Sequence, residues 1–496
     1  MLYQSTRGDL KKITSAQAIA QGLSEDGGLF VPESFPKISQ QDLINMVSKP
    51  YSERAAFVMS LFLSDFTYEE ICGFAVEAYC EPSFDNAAIA PVHKLDGNTY
   101  FLELWHGPTS AFKDMALQML PRLLVASLRK TEEKREVCIL VATSGDTGKA
   151  ALDGFKDVLG TKIIVFYPSE GVSDVQQLQM TTQEGGNVHV IAVEGNFDDA
   201  QTGVKMIFSD ETLREELDKA GFFLSSANSI NWGRLVPQIA YYVSAYVDLL
   251  ANKEITLGDK INFCVPTGNF GNILAAYYAE KMGLPIGKLI CASNRNDVLT
   301  QFIETGTYDK NREFFTTASP SMDILVSSNL ERLLYEITGK DGDAVSDYMN
   351  TLDKHGRYDI IESYMKEIDR IFAAGSCSET ETNNTLADCF NRCNYLMDTH
   401  TSVAYKVLRD YRAKSADATP TVVVSTASPF KFCDSVLEAL DHPQTGTGLE
   451  LLSTLSSATG NPVPAPLANL DGKKPRFSGA VPTSQMKAEV LKFLKT

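Results

Sequence analysis

One lysine is singled out by its neighbours. In the stretch WHGPTSAFKDMALQ, Trp105 to Gln118, Lys113 follows a Gly-Pro-Thr-Ser turn, and Phe112, Ala116, Met119 and Leu123 share one helical face around it. A cation at a helix start opposes the helix dipole, and an amine held near N–H dipoles away from water gives up its proton more readily, as Schiff-base chemistry requires. A solvated surface lysine would carry the same residues.

Three loops offer groups that complement such an amine. In ATSGDTGKAA, Thr143, Ser144, Gly145, Asp146, Thr147 and Gly148 join an apolar run to a helical one, so small residues and unpaired helix-start N–H groups face a carboxylate or phosphate. The pair Gly148-Lys149 is not a nucleotide-binding P-loop, because Thr143 and Ala150 stand where that motif needs Gly or Ala and Ser or Thr. In PTGNFGN, Thr267, Gly268, Asn269, Phe270, Gly271 and Asn272 form a concave run of amides ahead of an apolar helix, which suits a phosphate dianion. In TVVVSTASPFKF, Ser425, Thr426 and Ser428 place hydroxyls at the end of a buried strand; Ser428 before Pro429 also reads as a helix cap.

These loops need rigid elements to aim them. The runs VCILVAT, KIIVFYP, VHVIAV, FFLSS, INFCVP, KLICAS and TVVVST are continuously apolar and short, most of them followed by helical spacing. Burial on both faces is the mark of parallel strands covered by helices, so the spacing predicts an α/β protein with two open units, parallel or mixed. Residues 1–95 read as a mainly helical N-terminal domain without an obvious unit of strand, glycine loop and helix. Residues 96–230 read as a smaller α/β unit with Lys113 and the carboxylate loop, and 231–496 as a larger one with the phosphate loop and a helical insertion at 320–415. Pro121 should break or kink the helix that follows Lys113.

Composition narrows the ligands. A net charge of -18 argues against a nucleic-acid partner, so an anionic ligand must be bound by a few local cations and amides against the far field. The nine cysteines are scattered, several within apolar runs, and Cys389 with Cys393 lacks a second pair to make a zinc site; no metal is expected. The opening MLYQSTRGDLKK has no apolar signal core and no run reaches the roughly 18 residues of a membrane span, which predicts a cytoplasmic protein.

Taken in order, HGPTSAFKD, ATSGDTGKAA, SSANSINWGRLVPQ, PTGNFGN, DTHTSVA and STASPFKF closely resemble the threonine synthase family, and STRG with GLSEDGGLFVPE resembles the N-terminal domain of its longer form. The resemblance spans nearly the whole chain. It implies the fold type II architecture of pyridoxal-phosphate enzymes and a carbon–oxygen lyase making L-threonine and phosphate from O-phospho-L-homoserine and water. Phosphate would be lost from the γ carbon and water added at the β carbon, in the last step of threonine biosynthesis. Mapped onto this chain, Lys113 would hold pyridoxal 5'-phosphate and shuttle protons. Gly268, Asn269, Phe270, Gly271 and Asn272 would cradle its phosphate, and Thr426 would meet its ring nitrogen. Ser144, Gly145, Asp146 and Thr147 would hold the substrate carboxylate, and Ser229, Asn231 and Arg234, aided by Lys431, the substrate phosphate. His106 would position the lysine loop, touch the phosphate, or serve structure alone.

Three alternatives and one departure stay open. A phospho-lyase releasing 2-oxobutanoate from the same substrate, or a non-catalytic binder on the same fold, fits much of the pattern; a serine/threonine dehydratase fits NSINWGR and the N-terminal region less well. Several relatives carry His-Pro-Ala where this chain has Ser428, Pro429 and Phe430, which leaves Thr426 in register.

Overall fold

Every continuous apolar run becomes a strand. The computed structural model describes residues 1–143, 145–169 and 172–495. One sheet is wholly parallel, in the order Ala480–Val481, Val188–Val193, Thr161–Pro168, Glu136–Ala142 and Phe222–Ser225. A second, six-stranded sheet runs Phe372–Ser376, Ile286–Ser293, Ile261–Pro266, Thr421–Ser425, Thr99–Glu103 and Val92–Asp96; only the last strand is antiparallel. Helices connect the parallel strands, as a crossover requires.

The sheets do not follow contiguous blocks of sequence. The hairpin Val92–Asp96 and Thr99–Glu103 straddles residue 96, and its second strand pairs with Thr421–Ser425 of the larger sheet, Ser425 opposite Glu103. Likewise the last strand and the helix Met486–Leu494 return to the smaller sheet, where Met486, Val490 and Leu494 join its core. Pairing across such distances leaves no local trace in the chain.

The 320–415 stretch is mostly helical, with Leu330–Ile337, Gly342–His355, Glu362–Ile371, Glu379–Cys393 and Thr399–Ser415. It also contributes Phe372–Ser376, an edge strand whose sequence FAAGS gives little β signal, paired in parallel with Leu289 to Ser293.

The N-terminal region is mainly helical, and the helices start where chemistry says they should. Thr14, Ser39 and Thr67 each close a capping box with Gln17, Asp42 and Glu70. Two short strands, Tyr3–Ser5 and Phe30–Pro32, pair antiparallel there. This region docks on the long helix Trp232–Ala251, which is buried on nearly all sides; Trp232 packs against the rings of Tyr3 and Phe62 at 5.1 and 5.6 Å. Truncating such a buried indole costs roughly 3–5 kcal/mol.

Behind Lys113 the chain forms a short helix, Asp114–Leu117, and restarts as Leu120–Lys130. Pro121 lies in the first turn of the second helix, where a missing N–H costs nothing, so it begins a helix as much as it ends one. Among the described residues no helix is long and apolar enough to cross a membrane.

Candidate active site

The Lys113 turn is stitched to the end of the central strand. The Phe112 N–H donates to the Thr426 carbonyl at 2.8 Å, and Ala111 bridges Ala427. Below the turn, Asp114 accepts from the N–H and hydroxyl of Thr109 at 2.8 and 2.7 Å, and burial pushes its carboxyl up to about 7. Gly107 is required by this fold-back, because a Cβ there would stand 2.6 Å from the Asp114 side chain. Lys113 Nζ donates to Ser321 Oγ at 3.1 Å and lies 3.7 Å from Asp146 Oδ2. Burial lowers its pKa to about 8, with Arg234 and Lys431 pushing the same way and Asp146 opposing. An amine so placed is far readier to act as nucleophile or base than a surface lysine.

At the end of Ile261–Pro266 the glycine loop leads into the helix Gly271–Lys281. Its carbonyls are pulled outward: Gly268 O accepts from Ser327 Oγ at 2.9 Å, and Asn269 O from the backbone and side-chain N–H groups of Asn329, both at 3.1 Å. Phe270 takes a left-handed conformation, φ 60°, to make the turn. The consequence is that the N–H groups of Gly268, Asn269, Phe270, Gly271 and Asn272 have no acceptor among the described residues. A row of orphan amides at a helix start, running from exposed Asn269 into buried Phe270 and Asn272, is an anion site. The Asn272 side chain is spent differently, its oxygen accepting from the hydroxyls of Tyr241 and Tyr242. At the end of Thr421–Ser425 the Thr426 hydroxyl has no hydrogen-bond partner among the described residues, although the residue is 5% exposed.

The loop after Glu136–Ala142 is more self-contained than its composition suggests. Ser144 falls outside the described residues; Thr143 Oγ1 accepts the N–H groups of Gly145 and Gly148 at 3.0 and 2.9 Å. Asp146 Oδ1 accepts from Lys431 Nζ at 2.7 Å and Gln176 Nε2 at 2.9 Å. Burial disfavours its charge, but Lys431 and Lys113 overcome that and hold the carboxyl well below the usual range. Thr147, at the second position of the helix Asp146–Phe155, keeps a side chain with no partner among the described residues.

Of the expected substrate-phosphate residues, Arg234 is buried, and among the described residues its guanidinium donates only to the Ala227 carbonyl, at 2.7 Å. No carboxylate pairs with it among the described residues, and burial alone pulls its pKa down to about 10. Ser229 Oγ accepts from Asn329 at 3.1 Å, which ties it to the glycine loop. Asn231 spends both polar atoms elsewhere: its oxygen caps Trp232–Ala251 through the Gly233 N–H, and its amide donates to Ile19 O. His106 lies between Asp85 and Glu103, at 2.6 and 2.9 Å; burial opposes its charge, yet the two carboxylates push the imidazole up to about 9. Both ring nitrogens are thus engaged in bracing the strand end rather than open to an anion.

Comparison with known proteins agrees along the chain. Residues 2–79 match the threonine synthase N terminus, 87–349 the pyridoxal-phosphate dependent enzymes, and 401–488 the threonine synthase C-terminal family. Threonine synthase of Pseudomonas aeruginosa is 40% identical over 443 residues, 88% of this chain and 90% of that one. The chain belongs to the threonine synthase family of pyridoxal-phosphate-dependent enzymes. It is also 42% identical over 435 residues to human threonine synthase-like 1, covering 86% of this chain but only 58% of that protein's length. The crystal structure of pyridoxal-phosphate-bound threonine synthase from Brucella melitensis, 37% identical, superposes with a TM-score of 0.88 over 100% of both chains, so the fold is that of fold type II.

The residues present fit the cofactor of this family. Five unpaired amides suit its phosphate, the free Thr426 hydroxyl suits a ring nitrogen, and a buried amine of lowered pKa suits its aldehyde. Four contributors escaped the sequence reading. Ser321, on Lys113, sits in a loop without motif; Asn329 and Arg332 follow it in ordinary helical text; His400 lies in DTHTSVA without an evident task. Arg332 is fully buried and donates to Phe30 O, Ile230 O and Asn329 Oδ1 at 3.1, 2.6 and 2.5 Å, linking the N-terminal region to the glycine loop.

Proposed function

We propose that this chain is a threonine synthase, converting O-phospho-L-homoserine and water to L-threonine and phosphate with pyridoxal phosphate held on Lys113. The observation that carries the substrate assignment is Arg234, a buried guanidinium without a carboxylate partner among the described residues, close enough to Lys113 to depress its pKa. Unlike Arg332, whose guanidinium is spent on three acceptors, Arg234 has one, the Ala227 carbonyl, among the described residues, and an anion would take up its remaining N–H groups. Around the lysine, Lys113, Lys431 and Arg234 outweigh Asp146, a local positive surplus within a protein of net charge -18.

When bound, the cofactor supplies an electron sink that lets protons leave the carbons beside the substrate amine. The protein does the rest. The amides of 268–272 anchor the cofactor phosphate, and Thr426 offers a neutral hydroxyl, milder than a carboxylate, at its ring. Lys113, a largely buried amine of lowered pKa, would be the group to move protons between the α, β and γ carbons of a bound substrate. Arg234 offers a fork to the substrate phosphate, joined by Ser229, and stabilises it as it departs from the γ carbon. The loop at 143–148 takes the α-carboxylate, with Thr147 the side chain still open there, and closes over the site so that water enters late. The domain reading, with 1–95 as a docking module and the site between two α/β units, belongs to the same proposal.

The test is to incubate the protein, loaded with pyridoxal phosphate, with O-phospho-L-homoserine and to assay phosphate, threonine and 2-oxobutanoate together. Equal threonine and phosphate support the synthase. Phosphate matched by 2-oxobutanoate means the phospho-lyase, and absence of phosphate release removes the substrate assignment.

A further inference from the structure

The segment DTHTSVA, Asp398 to Ala404, opens the helix Thr399–Ser415 and has no place in the mechanism above. Its polar side chains are nevertheless buried: Asp398 is 0% and His400 2% exposed. Asp398 caps the helix, with Oδ1 accepting the Thr401 N–H at 3.1 Å and Oδ2 the His400 N–H at 3.0 Å. Oδ2 also meets His400 Nδ1 at 2.7 Å. On the far side of the ring, Nε2 faces the Ser321 N–H at 3.1 Å and must accept from it. The two contacts together fix one tautomer, with the hydrogen on Nδ1 and the lone pair on Nε2.

Ser321 is where this line reaches the chemistry. It belongs to a single helical turn, Pro320–Met322, too short to hold itself in place. Thr399 Oγ1 braces the turn through Ala318 O at 2.6 Å, and His400 grips the Ser321 peptide. The Ser321 hydroxyl accepts from Lys113 Nζ at 3.1 Å, while its carbonyl lies 2.5 Å from where a Cβ on Gly268 would stand. One residue therefore touches both the amine and the wall of the amide cradle, and its backbone is set by a histidine on another element.

We propose that Ser321 is a catalytic residue that orients the Lys113 amine, and that His400 and Asp398 are the positioning residues that hold Ser321 on it. By accepting one N–H, the hydroxyl turns the nitrogen lone pair away from the 320–322 turn, and by abutting Gly268 it fixes the spacing between amine and phosphate cradle. The inference rests on the reading of Lys113 as the cofactor lysine and needs no particular substrate.

The test uses the full chain stripped of cofactor. Capture of added pyridoxal phosphate is followed by the rise of its visible absorbance in stopped flow, for wild type, Ser321→Ala, His400→Leu, His400→Gln and the double variant Ser321→Ala/His400→Leu. Loss of one hydrogen bond to a reactive amine should slow capture about tenfold in Ser321→Ala and in His400→Leu. His400→Gln, whose amide oxygen can still accept the Ser321 N–H, should stay within about twofold of wild type. The double variant should be no slower than either single one, because both act through the same contact. Capture by Ser321→Ala at the wild-type rate overturns the proposal, as does full additivity in the double variant or failure of His400→Gln to rescue. Should His400→Leu fold poorly, Ser321→Ala alone decides. Turnover adds a separate reading: kcat falls with KM for O-phospho-L-homoserine nearly unchanged, whereas absence of turnover in wild type would count against the substrate and leave the capture rates standing.

Discussion

Replacing Asp146 by asparagine isolates the electrostatics of the site. The carboxylate lies 3.7 Å from Lys113 Nζ and favours its proton, against burial, Arg234 and Lys431. At that separation a pair of unit charges at an effective dielectric near 20 interacts by about 4 kcal/mol. If half survives local rearrangement, about 2 kcal/mol, the loss lowers the Lys113 pKa by about 1.5. The sign is fixed: removing an anion disfavours the protonated amine, so the midpoint moves down from about 8, toward neutral pH. At pH 7 the unprotonated share of Lys113 should rise by about eightfold, and the rate of pyridoxal-phosphate capture with it. The assay is that capture rate from pH 6 to 9.5 in Asp146→Asn and wild type, compared at each pH so that the cofactor's own titration cancels. A midpoint unchanged or shifted upward would refute the reasoning. Stability should fall by about 3 kcal/mol, because Lys431, fully buried, loses its counter-charge and keeps only neutral acceptors among the described residues, such as the Thr109 carbonyl at 2.9 Å.

Other substitutions test the remaining parts. Gly268→Ala places a Cβ 2.5 Å from the Ser321 backbone oxygen, so the cradle must deform; cofactor affinity measured by equilibrium titration should drop by about 100-fold or more. Arg234→Gln should lower kcat/KM for O-phospho-L-homoserine by about 100-fold, yet leave thermal stability unchanged or raised, since a buried charge without a carboxylate is removed. Arg332→Leu loses hydrogen bonds to Phe30 O, Ile230 O and Asn329, and urea denaturation should show about 3 kcal/mol of destabilisation with weakened cofactor binding.

The parallel strands were legible because burial on both faces writes itself into the chain as continuous apolar text, as in VCILVA and INFCVP. Phe372–Ser376 was not, because an edge strand of small residues is defined by its neighbour Ile286–Ser293 rather than by its own propensity. Lys113, the glycine loop and Thr426 stood out because turns at strand ends demand particular residue types there. Arg234 stands out only through the resemblance carried by NSINWGR, and its lack of a carboxylate partner among the described residues emerges only in three dimensions. Asn231 has the right composition for an anion ligand, but capping and the Ile19 carbonyl use up its side chain, and no single sequence distinguishes those fates. Ser321 and His400 could not be joined from sequence: 79 residues separate them, and only packing of Thr399–Ser415 against the 320–322 turn brings Nε2 to the Ser321 N–H.

The most direct test of the account is to find where the cofactor is bound. The protein is loaded with pyridoxal phosphate, reduced with borohydride to fix the linkage, digested, and mapped by mass spectrometry. The account predicts one modified peptide, carrying the label on Lys113. A label on buried Lys431 or on the partly exposed Lys149, the other lysines beside Asp146 and in its helix, would contradict it.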